Sequence, residues 1–283
     1  MTRSETCAVS SARPLGLRSA EEPVEAKVKE MPSLSISMIC SAGVVCLAAS
    51  TASAVLVDFE GFGNGREVGR GPHGGSFQPY PAFFDLTGTS FGAPVQGASI
   101  FDSTPGGPNA FGSDRDLLVD LGNILIVQND TFATQTVAGT YDVPNDEADG
   151  GSLFFDFVNP VELLSVVLID IDAHGAVDLI LTDGSALTRT YSVPNYWTFD
   201  ISVNGPNGFG TLDLTILTPQ VGEGGGVATA MEDLGFNPLD VATLEIIQSG
   251  SAGVDNLSFG VIPAPSTLLV LMAGLAGLRR RRR

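Results

Sequence analysis

The feature that most limits what this chain can fold into is a two-residue alternation of side chains, repeated in short runs and punctuated by turn formers. Val55, Val57 and Phe59 alternate with Leu56, Asp58 and Glu60, and Val167, Ile169 and Ile171 with Leu168, Asp170 and Asp172. The pattern recurs as Val177, Leu179 and Leu181 against Asp178, Ile180 and Thr182, as Leu212, Leu214 and Ile216 against Asp213, Thr215 and Leu217, and as Leu244 and Ile246 against Thr243, Glu245 and Ile247. A period of two puts each set on its own face of a β-strand. Further strand-like stretches are 98–101, 123–128, 152–158, 187–193, 197–202 and 254–259, with Asp183-Gly184, 204–208 and 222–226 as turns between them. A period of 3.6 is nearly absent, and one small helix is expected at 228–234. Some ten short strands within residues 55–260 predict one all-β domain, a single jelly-roll-like β-sandwich. Two connections, 60–97 and 102–122, are long, and long loops on a rigid sandwich are where binding surfaces usually sit.

Charge narrows the partners. Of 14 basic residues only Arg66, Arg70, Arg115 and Arg189 fall within 55–260, against 27 of the 32 acidic ones, a net of −23 with no lysine. Such a surface repels nucleic acid and anionic headgroups and attracts cations. With 43% hydrophobic residues the acidity marks a folded domain rather than disorder. The three cysteines, Cys7, Cys40 and Cys46, all precede residue 55, so thiol catalysis and cysteine–zinc sites are excluded from the domain.

Both ends read as addresses. The apolar stretch 36–49 leads into Ala52-Ser53-Ala54, a small-x-small cleavage pattern in which Ala52 and Ala54 flank Ser53, so residues 1–54 are expected to be a polar prefix and signal peptide. Lys27 and Lys29 serve as a long positive n-region, or translation starts at Met31. Neither Cys40 nor Cys46 follows the small residue of a lipoprotein site. At the other end, Pro263-Ala264-Pro265 precedes an uncharged run from Thr267 to Leu278 and then Arg279 to Arg283. The arginines orient this run with its end in the cytoplasm. Twelve residues make about 18 Å of helix, short of the ~20 residues of a stable span, as in a tail removed after it has been read.

This order of proline motif, short transmembrane helix and arginine cluster over residues 261–283 resembles the PEP-CTERM sorting signal of Gram-negative bacteria. Ala264 stands where the family has glutamate. The resemblance implies processing by an exosortase-type enzyme that reads Pro263, Ala264, Pro265, Arg279 and Arg280, with export through the inner membrane to the cell surface or exterior. A second resemblance runs through Ser99–Asp102, Gly122–Gln128, Asn145–Ala148, Leu168–Asp172 and Val254–Phe259. These strings look like a set found in secreted bacterial β-sandwich proteins similar in outline to carbohydrate-binding jelly rolls. In such modules the first and last strands are often neighbours, with a structural calcium at one end.

The carboxylates are the reactive supply. Calcium takes six to eight oxygens from carboxylates, carbonyls and water. Glu60 ends the first expected strand, and Asp255 opens the last on the face of Leu257 and Phe259, pointing inward where it needs a partner. Asp114, Asp116, Asp146 and Glu147 complete that site or make another. Asp170 and Asp172 share a strand face, but a glycosidase pair must flank a scissile bond, so they are expected on the solvent side. His73 and His174, both in loops, are too few for a zinc site or a catalytic triad. Phe77, Tyr80, Phe83, Phe84, Tyr191, Tyr196 and Trp197 stack on sugars or pack in the core. The expected function is a non-enzymatic cell-surface or extracellular-matrix protein with a calcium-stabilised acidic sandwich. The alternatives are a carbohydrate-binding module retaining extracellular polysaccharide and, third, a divergent polysaccharide-acting enzyme.

Overall fold

A computed structural model describes residues 53–71, 77–112, 114–171, 175–198 and 208–262. Ala52, the sorting residues Pro263, Ala264, Pro265, Arg279 and Arg280, and His73, Asp172 and His174 lie outside these residues. In chain order the strands are β1 (Ser53–Val57), β2 (Glu67–Val68), β3 (Phe84–Ser90), β4 (Ala98–Asp102), β5 (Asn123–Val127), β6 (Gly151–Ile169), β7 (Val177–Asp183), β8 (Thr188–Val193), β9 (Phe209–Asp213), β10 (Gln220–Val221), β11 (Val227–Glu232), β12 (Val241–Gln248) and β13 (Gly253–Val261). The only helical turn among the described residues is Asp130–Phe132, so the chain is all-β as expected.

Every ladder between these strands is antiparallel. The 19-residue β6 belongs to two sets of partners. Its first half, 151–157, pairs with β3 on one side and β12 on the other, and β7, β8, β11 and β10 follow outward from β12. Its second half, 161–169, pairs with β13 and β9, and β5, β4 and β2 continue outward from β13. Asn159 and Pro160 sit between the two sets of partners, where the missing proline N–H costs no ladder bond.

The main core gathers side chains from both halves, including Val57, Phe84, Leu86, Phe155, Leu168, Leu179, Leu244, Leu257 and Phe259. Phe157 meets Phe259 edge-on at 5.4 Å and Phe84 meets Phe155 at 5.2 Å. A second cluster (Phe101, Leu117, Val119, Ile124, Ile126, Val167 and Ile169) lies on the other face of β4, β5 and β6. Leu117 and Val119 come from the 102–122 loop, which folds over that face as a cover.

Three expectations are corrected. The 60–97 loop contains β2 and β3; Phe84, Leu86 and Ser90 point inward and Asp85, Thr87 and Thr89 outward, an alternation diluted by glycine and threonine. Gly88 fills the remaining inward position because a Cβ there would strike the backbone of Ala98 in β4. Residues 227–232 form strand β11 rather than a helix, paired to β8 on one side and to the short edge strand β10 on the other. Trp197 and Thr198 lie outside any strand. Among the described residues no helix is long and apolar enough to cross a membrane.

Adjacent phenylalanines on β6 test this register. Phe155 is 0% exposed and Phe154 is 36% exposed. Phe155→Ala should cost about 3–5 kcal/mol, read as a lower urea midpoint at unchanged slope. Phe154→Ala should cost less than about 1 kcal/mol.

Candidate cation sites

The described ion pairs commit two of the four arginines. Arg70 Nη2 meets Asp85 Oδ2 at 2.6 Å, and the buried Arg189 pairs with Glu232 while donating to the Leu214 carbonyl at 3.1 Å. The Arg66 guanidinium lies over the Phe77 ring at 4.6 Å, and Arg115 is exposed. Two groups of carboxylates gather without any of these cations.

The first lies where β13 changes neighbours. Residues 253–254 of β13 pair with β5 and residues 257–261 pair with β1. Between them the register against β6 slips, Asp255 facing Val167 and Ser258 facing Ser165, with Asn256 at φ +49°. Such a bulge re-aims side chains. Directly paired residues share a face, so Asp255 stands on the Val167 side, under the loop cover, while Leu257 and Phe259 face the main core. The expected inward burial of Asp255 is observed, at 1% exposure, but the shared face with Leu257 and Phe259 is not. Asp255 Oδ2 accepts from the Asn256 amide at 3.0 Å, whereas Oδ1 is buried with no hydrogen-bond partner. Burial pushes this carboxyl up to about 7; the Asn256 N–H opposes the rise, and the charges of Glu60 and Asp58 add to it.

Glu60 and Asp58 reach this point from the end of β1. Glu60 Oε1 accepts from the Asn123 N–H at 2.9 Å, and the Asn123 amide donates to the Phe62 carbonyl at 2.7 Å and the Phe59 carbonyl at 3.5 Å. Phe59 turns through φ +55°, and Gly122, at φ +75°, leaves room for the Glu60 carboxylate that a Cβ would occupy. Asp58 Oδ1 accepts from the Glu60 N–H at 3.3 Å and from the Tyr80 hydroxyl at 3.4 Å. The charges of Glu60 and Asp58 both act on Asp255; Asp58 is the member that sequence reasoning missed, although its position two residues before Glu60 signalled it.

The second group takes the loop acids elsewhere. Asp114 Oδ2 accepts from the Asp146 N–H at 2.8 Å, and the Ser251 hydroxyl bonds both Asp146 Oδ2 and, at 2.8 Å, Asp170 Oδ2. Asp116 stands close enough to raise both Asp114 and Asp146. Asp170 is 1% exposed with φ +62°, so the solvent-side reading fails for it: the left-handed backbone at this residue ends the strand alternation and leaves the carboxyl buried. Burial lifts Asp114 to about 6, helped by the Asp116 and Asp170 charges and opposed by its hydrogen bonds to Asp146. Burial, followed by the Asp114 charge, holds Asp146 well above the usual carboxylate range despite the Ser251 bond.

Other candidates resolve into structure. Buried Glu147 accepts from the Asp130 N–H at 3.1 Å, the Asp149 N–H at 3.2 Å and the Asn129 amide at 3.4 Å, and so braces its loop. Phe84, Tyr191 and Trp197 are core residues, and Tyr80 and Phe83 pack against the core. Phe77 and Tyr196 are the members of the aromatic set that stand exposed. Among the described residues, no group of three or more histidine, cysteine or acidic side chains is arranged to hold a metal ion. Searches of protein-family models, curated proteins and solved structures find no match to this chain.

The raised carboxyls set a pH dependence. Asp114, Asp146 and Asp255 keep protons in the fold at pH values where an unfolded aspartate, at 3.8, has lost them. Stability is therefore greatest at the acid end and falls as pH rises from about 4 through the folded values. Asp183, lowered by the N–H groups of Asn237, Leu187 and Ser185, changes only below this window. In chelated buffer at fixed ionic strength the domain should lose on the order of 1–3 kcal/mol between about pH 5 and pH 8. Asp146→Asn should flatten the decline; stability that rises across this range would contradict the burial of these groups.

Proposed function

We propose that this chain is an exported, non-enzymatic protein of the cell surface or extracellular matrix. Its acidic, jelly-roll-like β-sandwich is stabilised by calcium and delivered by a PEP-CTERM-like tail that an exosortase-type enzyme processes in a Gram-negative bacterium. The observation that carries the reading is the gathering of carboxylates around buried Asp255 and around buried Asp146 and Asp170, while Arg70, Arg189 and Arg66 are committed to Asp85, Glu232 and Phe77. A charge of −23 over residues 55–260 needs counter-ions from outside the chain, and millimolar calcium is an exterior resource.

The strand ends suit a tethered domain. Past the expected cleavage after Ala54, Val55 pairs with Phe259 and β13 ends at Val261, so the chain enters and leaves the sheet at one end of a single strand pair. Anchoring by the tail then leaves the whole domain projecting from one point. The carbohydrate-binding alternative rests on exposed Phe77 and Tyr196, since the tryptophan is in the core. Binding on a glycan array that is lost in Phe77→Ala or Tyr196→Ala would favour it.

Two measurements test the reading. Deleting residues 263–283 should release a folded domain to the periplasm or medium, because β13 ends at Val261. Retention of the full-length tail on intact cells would leave a plain anchor. Calcium at a hundredfold excess over Kd should stabilise by about 2.7 kcal/mol and raise Tm beyond sodium chloride of equal ionic strength. A melting curve indifferent to calcium and chelator would leave the acids as a solubilising surface.

A further inference from the structure

We propose that Asp58, Glu60 and Asp255 form a site for one hard divalent cation of the calcium class, which clamps β1 to β13 at the point where β13 exchanges β5 for β1. The proposal rests on the calcium reading above and gives that ion a place and a mechanical role.

The decisive atom is Asp255 Oδ1. A carboxylate oxygen shielded from water and lacking a donor is costly, and because Val57 pairs with Leu257 the chain leaves β1 at Asp58 beside the bulge that carries Asp255, where the charges of Glu60 and Asp58 act on this carboxyl. Asp58 Oδ2 and Glu60 Oε2 make no hydrogen bond among the described residues, since the bonds of these side chains fall on Oδ1 and Oε1. Each of the three side chains thus keeps an oxygen uncommitted. Asn123 spends its NH₂ on the Phe59 and Phe62 carbonyls, which leaves its amide oxygen as a neutral donor beside them. Three carboxylates and amide or water oxygens, with neither histidine nor cysteine, match calcium rather than zinc or copper. Side-chain rotation of Asp58 and Glu60, half-buried and exposed respectively, would close the arrangement. The Asp114–Asp146–Asp170 group differs, because Ser251 and the Asp146 N–H already occupy oxygens there.

The consequence concerns β1. Among the described residues this five-residue strand pairs only with β13, and its residues Ser53, Ala54 and Leu56 are exposed. A cation shared by Asp58 and Glu60 on one side and Asp255 on the other adds a second attachment at its inner end. Losing the ion would free β1 before the rest of the sheet, as the least attached units open first.

Terbium luminescence, with Tb³⁺ replacing Ca²⁺, gives a direct readout because the Tyr80 hydroxyl lies 3.4 Å from Asp58 Oδ1 and can sensitise an ion held there. In the full chain, excitation at tyrosine should give Tb³⁺ emission that calcium displaces and that Tyr80→Phe lowers without loss of calcium-dependent stability. Asp255→Asn should remove the emission and most of the calcium-specific rise in Tm. In chelator it should melt at or above wild type, because a buried charge has been replaced by an amide. Asp58→Asn should weaken calcium binding at least about tenfold, which keeps the test open if Asp255→Asn fails to fold. Asp213→Asn, whose carboxylate serves only the Thr215 turn, should change none of these. Hydrogen exchange at 55–57 should slow with calcium more than exchange in β12. If wild type responds to calcium but Asp255→Asn and Asp58→Asn respond fully, the site is overturned and the calcium reading stands with another site. If wild type does not respond, both fall.

Discussion

One strand takes part in nearly everything else: β6 supplies hydrogen bonds to β3 and β12 with its first half and to β13 and β9 with its second. A backbone that continues from one set of partners to the other must have satisfied N–H and C=O groups along its whole length. The first half needs only one buried face, so Leu153, Phe155 and Phe157 are buried while Phe154, Asp156 and Val158 are exposed. Residues 166–169 are buried on both faces, since the main core lies on one side and Leu117 and Val119 of the 102–122 loop on the other. The run Val166–Val167–Leu168–Ile169 is the composition such a position requires.

Covering both faces also determines where acids become buried. Asp170 follows β6 directly, and Asp255 faces Val167 across the ladder, so both carboxylates fall under or beside the loop cover rather than in water. A buried carboxylate either holds a proton, accepts hydrogen bonds or shares a cation. The chain uses the second solution at Glu147 and Asp183, each held by several N–H donors. At Asp146 it combines a hydroxyl donor with a raised affinity for protons. At Asp255 one oxygen has neither donor nor exposure, which is why the cation argument is strongest there.

Much of this was legible in residue order, and the failures have definite causes. Period-two runs placed β7 and β12, and strand-like stretches placed β4, β5, β8 and β13, each within a residue or two, whereas β1 ends at Val57, short of the expected Glu60. β3 escaped because its inward Gly88 and outward threonines weaken the contrast, though Phe84, Leu86 and Ser90 keep the period. β11 escaped because a short strand of sequence Val-Ala-Thr-Ala-Met-Glu reads equally well as a helix until its pairing with β8 and β10 is known. The Glu60–Asp255 pair could be anticipated from the neighbouring first and last strands, but the bulge could not: a one-residue slip leaves no mark in the alternation, yet it reverses the face. For the same reason Asp170 was misjudged, since a positive φ after β6 ends the parity argument at that residue.

The placement of the two acid groups suggests why they are tolerated. Neither lies within a regular stretch of ladder; one sits where β13 changes partner and the other where β6, the β12–β13 turn and two loops converge on Ser251. At such junctions backbone continuity is already broken, so local polar groups must tie the pieces together. An apolar side chain there would bury more area but would leave N–H groups such as that of Asp146 without an acceptor. The acidic composition and the irregular junctions are thus linked: carboxylates join loops whose amides need acceptors, and protons or counter-ions from the surrounding solvent reduce the repulsion among the assembled carboxylates.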